Sequence, residues 1–126
     1  MRVLVSGDRN WTNKQRIREV LEAIDDLELV IEGECRGADK IARKVAEELG
    51  IPVKPMPADW NQFGRAAGAI RNIWMLNEKP DLVIAFHNNL ARSRGTKHMV
   101  KEANKRRVPV RLVTDTDIIW EIRERR

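Results

Sequence analysis

Short apolar runs alternate with helix-period segments along this whole chain, and that alternation limits its fold more than any other feature. Val3-Leu4-Val5, Leu29-Val30-Ile31, residues 51–57, residues 81–86 and residues 108–113 read as strands. Between them apolar residues recur at spacings of three and four. Ile17, Val20, Leu21 and Ile24 form one such face; Ile41, Ala42, Val45, Ala46 and Leu49 form a second. Ile70, Ile73, Trp74 and Leu76 make a third, and Met99, Val100 and Ala103 a fourth. Strand and helix in this alternation predict parallel strands joined by crossover helices. A last helix containing Ile118, Ile119 and Ile122, capped by Asp115 or Asp117, is expected to close the chain. At 126 residues, with no repeat or low-complexity linker, one domain over residues 1–126 is expected.

Proline then orders the strands. Pro52, Pro55 and Pro57 lack the N–H a ladder needs, which confines the third strand to a sheet edge. Pro109 opens the fifth strand, a second expected edge, whereas the first, second and fourth runs are proline-free and suit the middle. With right-handed crossovers the order is 3-2-1-4-5. The expected fold is thus a single Rossmann-like three-layer α/β/α domain with a five-stranded, mostly parallel sheet. Its switch point lies between strands one and four, where a crevice is expected to open. Gly7-Asp8-Arg9, the stretch from Gly33 to Asp39 and the loop before Gly95-Thr96 are expected to meet there.

Those turns carry anion chemistry. Each leads from a strand through glycine to a helix start, where unpaired backbone N–H groups converge. Arg36 and Arg9 add fixed cations. The alternative for residues 29–39 is a plain strand-to-helix turn with an exposed arginine. Thr12 or Asn13 is the expected cap of the first long helix, and Gly50 the stop of the second. Trp11 is either a lid on the core or a platform for a base. A net charge of +5 points to an acidic partner without naming it, since Lys105-Arg106-Arg107 and the basic end of the chain also read as solvated runs. The single cysteine, Cys35, offers neither a disulfide nor a zinc cluster. With no membrane-length apolar run, and a first segment that reads as a strand and not a leader, a cytoplasmic location and no membrane partner are expected.

Taken together, several blocks of the chain resemble one family. They are Gly7-Asp8-Arg9 with Trp11, Gly33-Glu34-Cys35-Arg36-Gly37-Ala38-Asp39, Ala58-Asp59-Trp60, Gly64-Arg65-Ala66-Ala67-Gly68-Ala69-Ile70-Arg71-Asn72, residues 81–86, and Ser93-Arg94-Gly95-Thr96. In this order and spacing they resemble the SLOG superfamily (Smf/DprA and LOG proteins), in its YspA-like branch. The resemblance implies a Rossmann-like fold that binds a nucleotide or a nucleotide-derived ligand. Some LOG members cleave the N-glycosidic bond of nucleoside monophosphates through a Pro-Gly-Gly-x-Gly-Thr-x-x-Glu motif. Here residues 90–99 keep Gly95-Thr96, lack the upstream glycines, and place Met99 where the acid belongs. Methionine neither transfers a proton nor stabilises an oxocarbenium-like centre, which disfavours that hydrolysis.

The binding reading assigns roles accordingly. Gly95 and Thr96 are expected to hold a phosphate, with Ser93 beside them. Gly7, Gly33, Arg36 and Gly37 shape the walls, and Arg9, Arg65, Arg71 and Asn72 add contacts. Asp8, Asp39 and Asp59 either read ribose hydroxyls or pair with arginines; for Asp39 and Arg71 the buried scaffold is preferred. Trp60 stacks on a base or packs on a helix, while Trp74 and Trp120 belong to a core or an interface. His87 and His98 are too far apart, with too few companions, for a metal site, and no metal or required cofactor is expected. The leading function is a sensor module for a nucleotide-like ligand such as an ADP-ribose, NAD-like or cyclic nucleotide. The alternatives are a nucleotide-processing enzyme using Asp8, Glu32, Asp39 or Asp59 as acid, and single-stranded nucleic-acid binding. A homo-oligomer is expected because Trp74 and Trp120 exceed what one small core covers.

Overall fold

A computed structural model describes residues 1–119 of the chain. Its strands are β1 (Arg2–Gly7), β2 (Leu29–Glu32), β3 (Val53–Pro55), β4 (Leu82–Phe86), β5 (Val110–Val113) and β6 (Ile118–Ile119). The helices are α1 (Lys14–Glu22), α2 (Ala38–Glu48), α3 (Trp60–Phe63), α4 (Ala67–Asn77) and α5 (Gly95–Lys105). The sheet runs β3-β2-β1-β4-β5-β6, parallel throughout except for the last pair. Among the described residues no helix is long and apolar enough to cross a membrane.

Alternation along each strand feeds two cores. Val3 and Val5 face α1 and α2, packing with Ile17, Leu21, Ala42 and Val45. Leu4, between them, faces the opposite layer with Met75, Met99 and Ala103 of α4 and α5. Every residue of β4 is buried, as expected of a strand covered on both faces. The three-layer architecture and the strand order follow the sequence pattern. Asn13, not Thr12, caps α1, its side chain accepting from the Arg16 N–H at 3.1 Å.

Two expectations change at the far edge. The sheet has a sixth strand, so β5 is not an edge, and Ile118 and Ile119 belong to a strand instead of a helix. The cause is local. The Thr114 hydroxyl accepts from the N–H groups of Thr116 and Asp117, and the Thr114 N–H donates to the Asp117 carbonyl at 2.9 Å. This turn takes the place of the expected Asp cap and sends two β-branched residues back along β5. Ile122, Trp120 and the basic end of the chain lie outside the described residues. Residues 58–65 also hold more than a loop. Asp59 caps the short α3 by accepting from the Gln62 N–H at 3.0 Å, and a 3₁₀ turn (Gly64–Ala66) leads into α4.

Candidate functional site

The turns after β1, β2 and β4 form a hydrogen-bonded rim at the C-terminal ends of the strands. The Asp8 N–H donates to the Phe86 carbonyl at the end of β4, 2.8 Å away. The Asp8 carbonyl in turn accepts from the N–H groups of Trp11 and Ala38, both at 3.1 Å, which locks the first turn to the start of α2. Gly37 allows this approach. Its φ is 82°, and a Cβ there would lie 2.3 Å from the Asp8 carbonyl oxygen. Arg36 continues the join, donating from Nε to the Arg9 carbonyl at 3.3 Å and from Nη2 to Asn10 Oδ1 at 3.0 Å. An open hollow of about 470 Å³ lies over this seam, lined by Arg9, Asn10, Trp11, Thr12, Arg36, Gly37 and Ile41.

Trp11 is a lid on the core. It is 4% exposed, its indole N–H donates to the Asn13 carbonyl at 2.9 Å, and its ring meets Phe86 edge-on at 5.6 Å. No face is left for a base.

Asp39 and Arg71 hold the second turn from two sides. Asp39 Oδ2 accepts from the Gly33 N–H at 3.1 Å and the Cys35 N–H at 3.4 Å. Arg71 Nη1 donates to the Gly33 carbonyl at 2.7 Å, and its guanidinium lies 3.6 and 3.7 Å from Cys35 Sγ. Gly33 has no room for a side chain, since a Cβ would fall 2.5 Å from Arg71 Nη1. Burial pushes the Asp39 carboxyl up to about 6 against the opposing pull of the Arg71 guanidinium and the two amides. The neighbouring Glu32 is fully buried. Its Oε2 accepts from the Glu34 N–H while Oε1 has no partner among the described residues, and burial lifts its carboxyl to about 7. Asp39 and Arg71 are therefore the scaffold of this turn.

The chain of contacts continues into the third turn. Arg71 Nε donates to Asn72 Oδ1 at 3.2 Å. Asn72 Nδ2 donates to the Gly95 carbonyl at 3.2 Å and faces His98 Nδ1 at 3.0 Å. The Ser93 hydroxyl accepts from the buried Thr96 N–H at 3.0 Å. The Gly95 and Lys97 N–H groups have no partner among the described residues. Beside them opens a second hollow of about 490 Å³, lined by Ala91, Arg92, Ser93, Arg94, Lys97, His98 and Lys101. Elsewhere Lys14, Arg18, Arg43, Lys54 and Arg106 pair with carboxylates. Arg92, Arg94, Lys97 and Lys101 have no acidic partner among the described residues.

The expected single crevice is thus two hollows with no lining residue in common. One opens on the side of α1 and α2, the other on α5 in the opposite layer. Gly7 and Asp8 lie at the seam between β1 and β4, where buried His87 places Nε2 3.9 Å from Asp8 Oδ2 and accepts from the Asn89 N–H through Nδ1 at 2.9 Å. Asp59, Trp60 and Arg65 are on α3 and the turn after it, exposed and outside both hollows. Met99 is wholly buried in the α4–α5 core. The cations of the second hollow were not among the expected site residues. Their signal was legible, because Lys97 and Lys101 stand four apart on one helix face with Arg94 one turn before. Among the described residues no group of three His, Cys, Asp or Glu side chains could hold a metal ion.

A parallel sheet in this order, with its turns gathered at one rim, defines a Rossmann-type α/β protein. The chain belongs to the YspA, cpYpsA-related SLOG family (YAcAr), whose model matches residues 1–63. Gene 61 protein of Mycobacterium phage D29 is 38% identical over 120 residues, covering 86% of this chain and 93% of that protein. The crystal structure of DNA processing protein A (DprA) from Streptococcus pneumoniae has the same fold, with a TM-score of 0.71 at 13% identity. That match covers 86% of this chain and 48% of the DprA chain, so the protein spans about half the length of that neighbour.

Proposed function

We propose that the protein binds a nucleotide or nucleotide-derived ligand, of the ADP-ribose, NAD-like or cyclic-nucleotide kind, and acts as a sensor module. One observation carries the reading: four cations without acidic partners among the described residues line the hollow at the first turns of α5, where two backbone N–H groups are likewise without a partner. Helix N-termini carry partial positive charge, so the cations and the helix act on an incoming phosphate with the same sign. Membership of the SLOG family suggests nucleotide-related binding or processing.

A processing enzyme is the second reading, and the Asp8–His87 pair at the switch point favours it. Of the acids considered from sequence, Glu32 and Asp39 are buried and engaged in the second turn, and Asp59 caps α3. Asp8 is left as the acid for such a reaction. Nucleic-acid binding is the third reading, supported by the unpaired cations and by the fold shared with DprA, a DNA processing protein. A thermal-shift panel of nucleotides, ADP-ribose, NAD and cyclic nucleotides tests the first reading. The right ligand at a hundredfold excess over Kd should raise the melting temperature by roughly 5–10 °C. No shift across the panel, together with a steeply salt-dependent shift on single-stranded DNA, rejects it for the third. Product formed from the best binder moves the assignment to the second.

A further inference from the structure

We propose that the outward face of α3 and α4 binds a second copy of this chain, with the two α4 helices antiparallel about a two-fold axis. Surface helices of a monomer are polar outside, as α5 is with Lys97, Lys101 and Lys105. Helix α4 is not. From Ala66 to Asn77 its one charged residue is Arg71, which is buried, and Trp74 stands 45% exposed on the outside. Trp60, 58% exposed, lies beside Gly68, and Phe63 meets Trp74 edge-on at 5.7 Å. A contiguous aromatic and aliphatic patch of this kind marks a contact surface.

The ends of the helix identify a second copy as the occupant. Arg65, exposed and without an acidic partner among the described residues, stands just before α4, at the positive end of its dipole, where a cation is unfavourable. Glu78 follows the last turn, at the opposite end, where its Oε1 pairs with Lys54 of the same chain and its Oε2 has no partner among the described residues. An isologous contact pairs each residue with its complement twice. A register centred between Arg71 and Asn72 sets Arg65 beside Glu78 of the partner subunit. The same register sets Ile70 against the partner's Ile73 and seats the Trp74 ring over the partner's Ala69. One alignment therefore pairs opposite charges, aliphatic with aliphatic, and large with small. The two tryptophans offer roughly 200 Å² per copy, a fraction of the roughly 800 Å² per partner in a standard interface, which places the dimer at the reversible end. Bases of a nucleic acid could stack on the same rings, yet the row from Ala66 to Asn77 lacks exposed cations to hold the phosphates.

Sedimentation velocity on the full chain across roughly 1–200 μM tests this. The expected mass rises toward twice the 14.6 kDa of the chain. Trp74→Glu and Ala69→Glu, both at exposed positions, should each weaken association at least tenfold with the melting temperature retained. Arg65→Glu and Glu78→Arg should each weaken it, and their combination should restore it. A monomer at every concentration overturns the proposal, as does a dimer indifferent to both Trp74→Glu and Ala69→Glu. Failure of the charge swap to restore association overturns the antiparallel register. Tryptophan quenching by a single-stranded oligonucleotide, without self-association, overturns it in favour of strand binding.

Discussion

The turn after β2 and the turn after β4 share one plan, strand to glycine-bearing turn to helix, and differ in where their polar groups point. After β2 nearly everything is engaged internally. Asp39 and Arg71 take opposite sides of Gly33, Glu32 holds the Glu34 N–H, and Arg36 is bonded to the turn after β1. After β4 the cations are exposed, and the Gly95 and Lys97 amides have no partner among the described residues. A buried charge must be matched within the fold, whereas an exposed, unmatched one remains available to a ligand. The turn after β2 is thus a scaffold and the turn after β4 the better candidate for binding, though both follow the same strand-glycine-helix pattern in the sequence.

The difference can be broken most forcefully at Gly37. Gly37→Ala forces a side chain into the Asp8 carbonyl at a positive φ, and should lower stability by about 3 kcal/mol or more. Urea denaturation reads the effect, and a change within experimental error would mean the seam is loose. Next is Glu32→Gln. The folded Glu32 carboxyl, near 7, lies above its ordinary value of 4.5, so the native state holds a proton that the unfolded chain has released. Its contribution to stability is therefore greatest below about pH 4.5 and is lost as pH rises through 7. Glu32→Gln should remove that slope, gaining roughly 2–3 kcal/mol at pH 8 and almost nothing at pH 4. Parallel pH–stability curves for the two proteins would show that Glu32 is not the strained group. The smallest effect on stability is expected in the other turn. Arg94→Ala and Lys97→Ala should each stay within about 0.5 kcal/mol of the parent while weakening the best nucleotide-like binder about tenfold and flattening its salt dependence. A loss of stability like that at Gly37 would erase the distinction between the turns.

Much of this was legible in the sequence because it rests on periodicity. The proline-free runs placed β1, β2 and β4 centrally, and Pro52, Pro55 and Pro57 marked β3 as an edge. The sixth strand was not legible, since Thr114-Asp115-Thr116-Asp117 reads equally as a cap or a turn and only tertiary pairing with β5 decides. Glycine and arginine marked the rim but not its division, because a residue type does not say which layer a loop leans toward. For Arg71 the sequence already favoured a buried scaffold, whereas nothing in it singled out Arg94. The first is buried against the Gly33 carbonyl, Asn72 Oδ1 and Cys35 Sγ and the second is open to solvent, and that contrast arises only when α4 packs beneath the second turn. Asp59, Trp60 and Arg65 come from two specific blocks of residues, yet the fold sets them at the start of α3 and in the turn beyond it, away from both hollows.

The Asn72 amide fixes the tautomer of a histidine that lines the second hollow. A guanidinium N–H can only donate and a carbonyl can only accept, so Arg71 and Gly95 leave the amide no freedom to flip. Its NH2 therefore faces His98 Nδ1, and a neutral His98 ring carries its hydrogen on Nε2. His98 Nε2 in turn lies 3.8 Å from Glu102 Oε1, so that hydrogen is turned along α5 toward a carboxylate, and the ring is oriented at both nitrogens before any guest arrives.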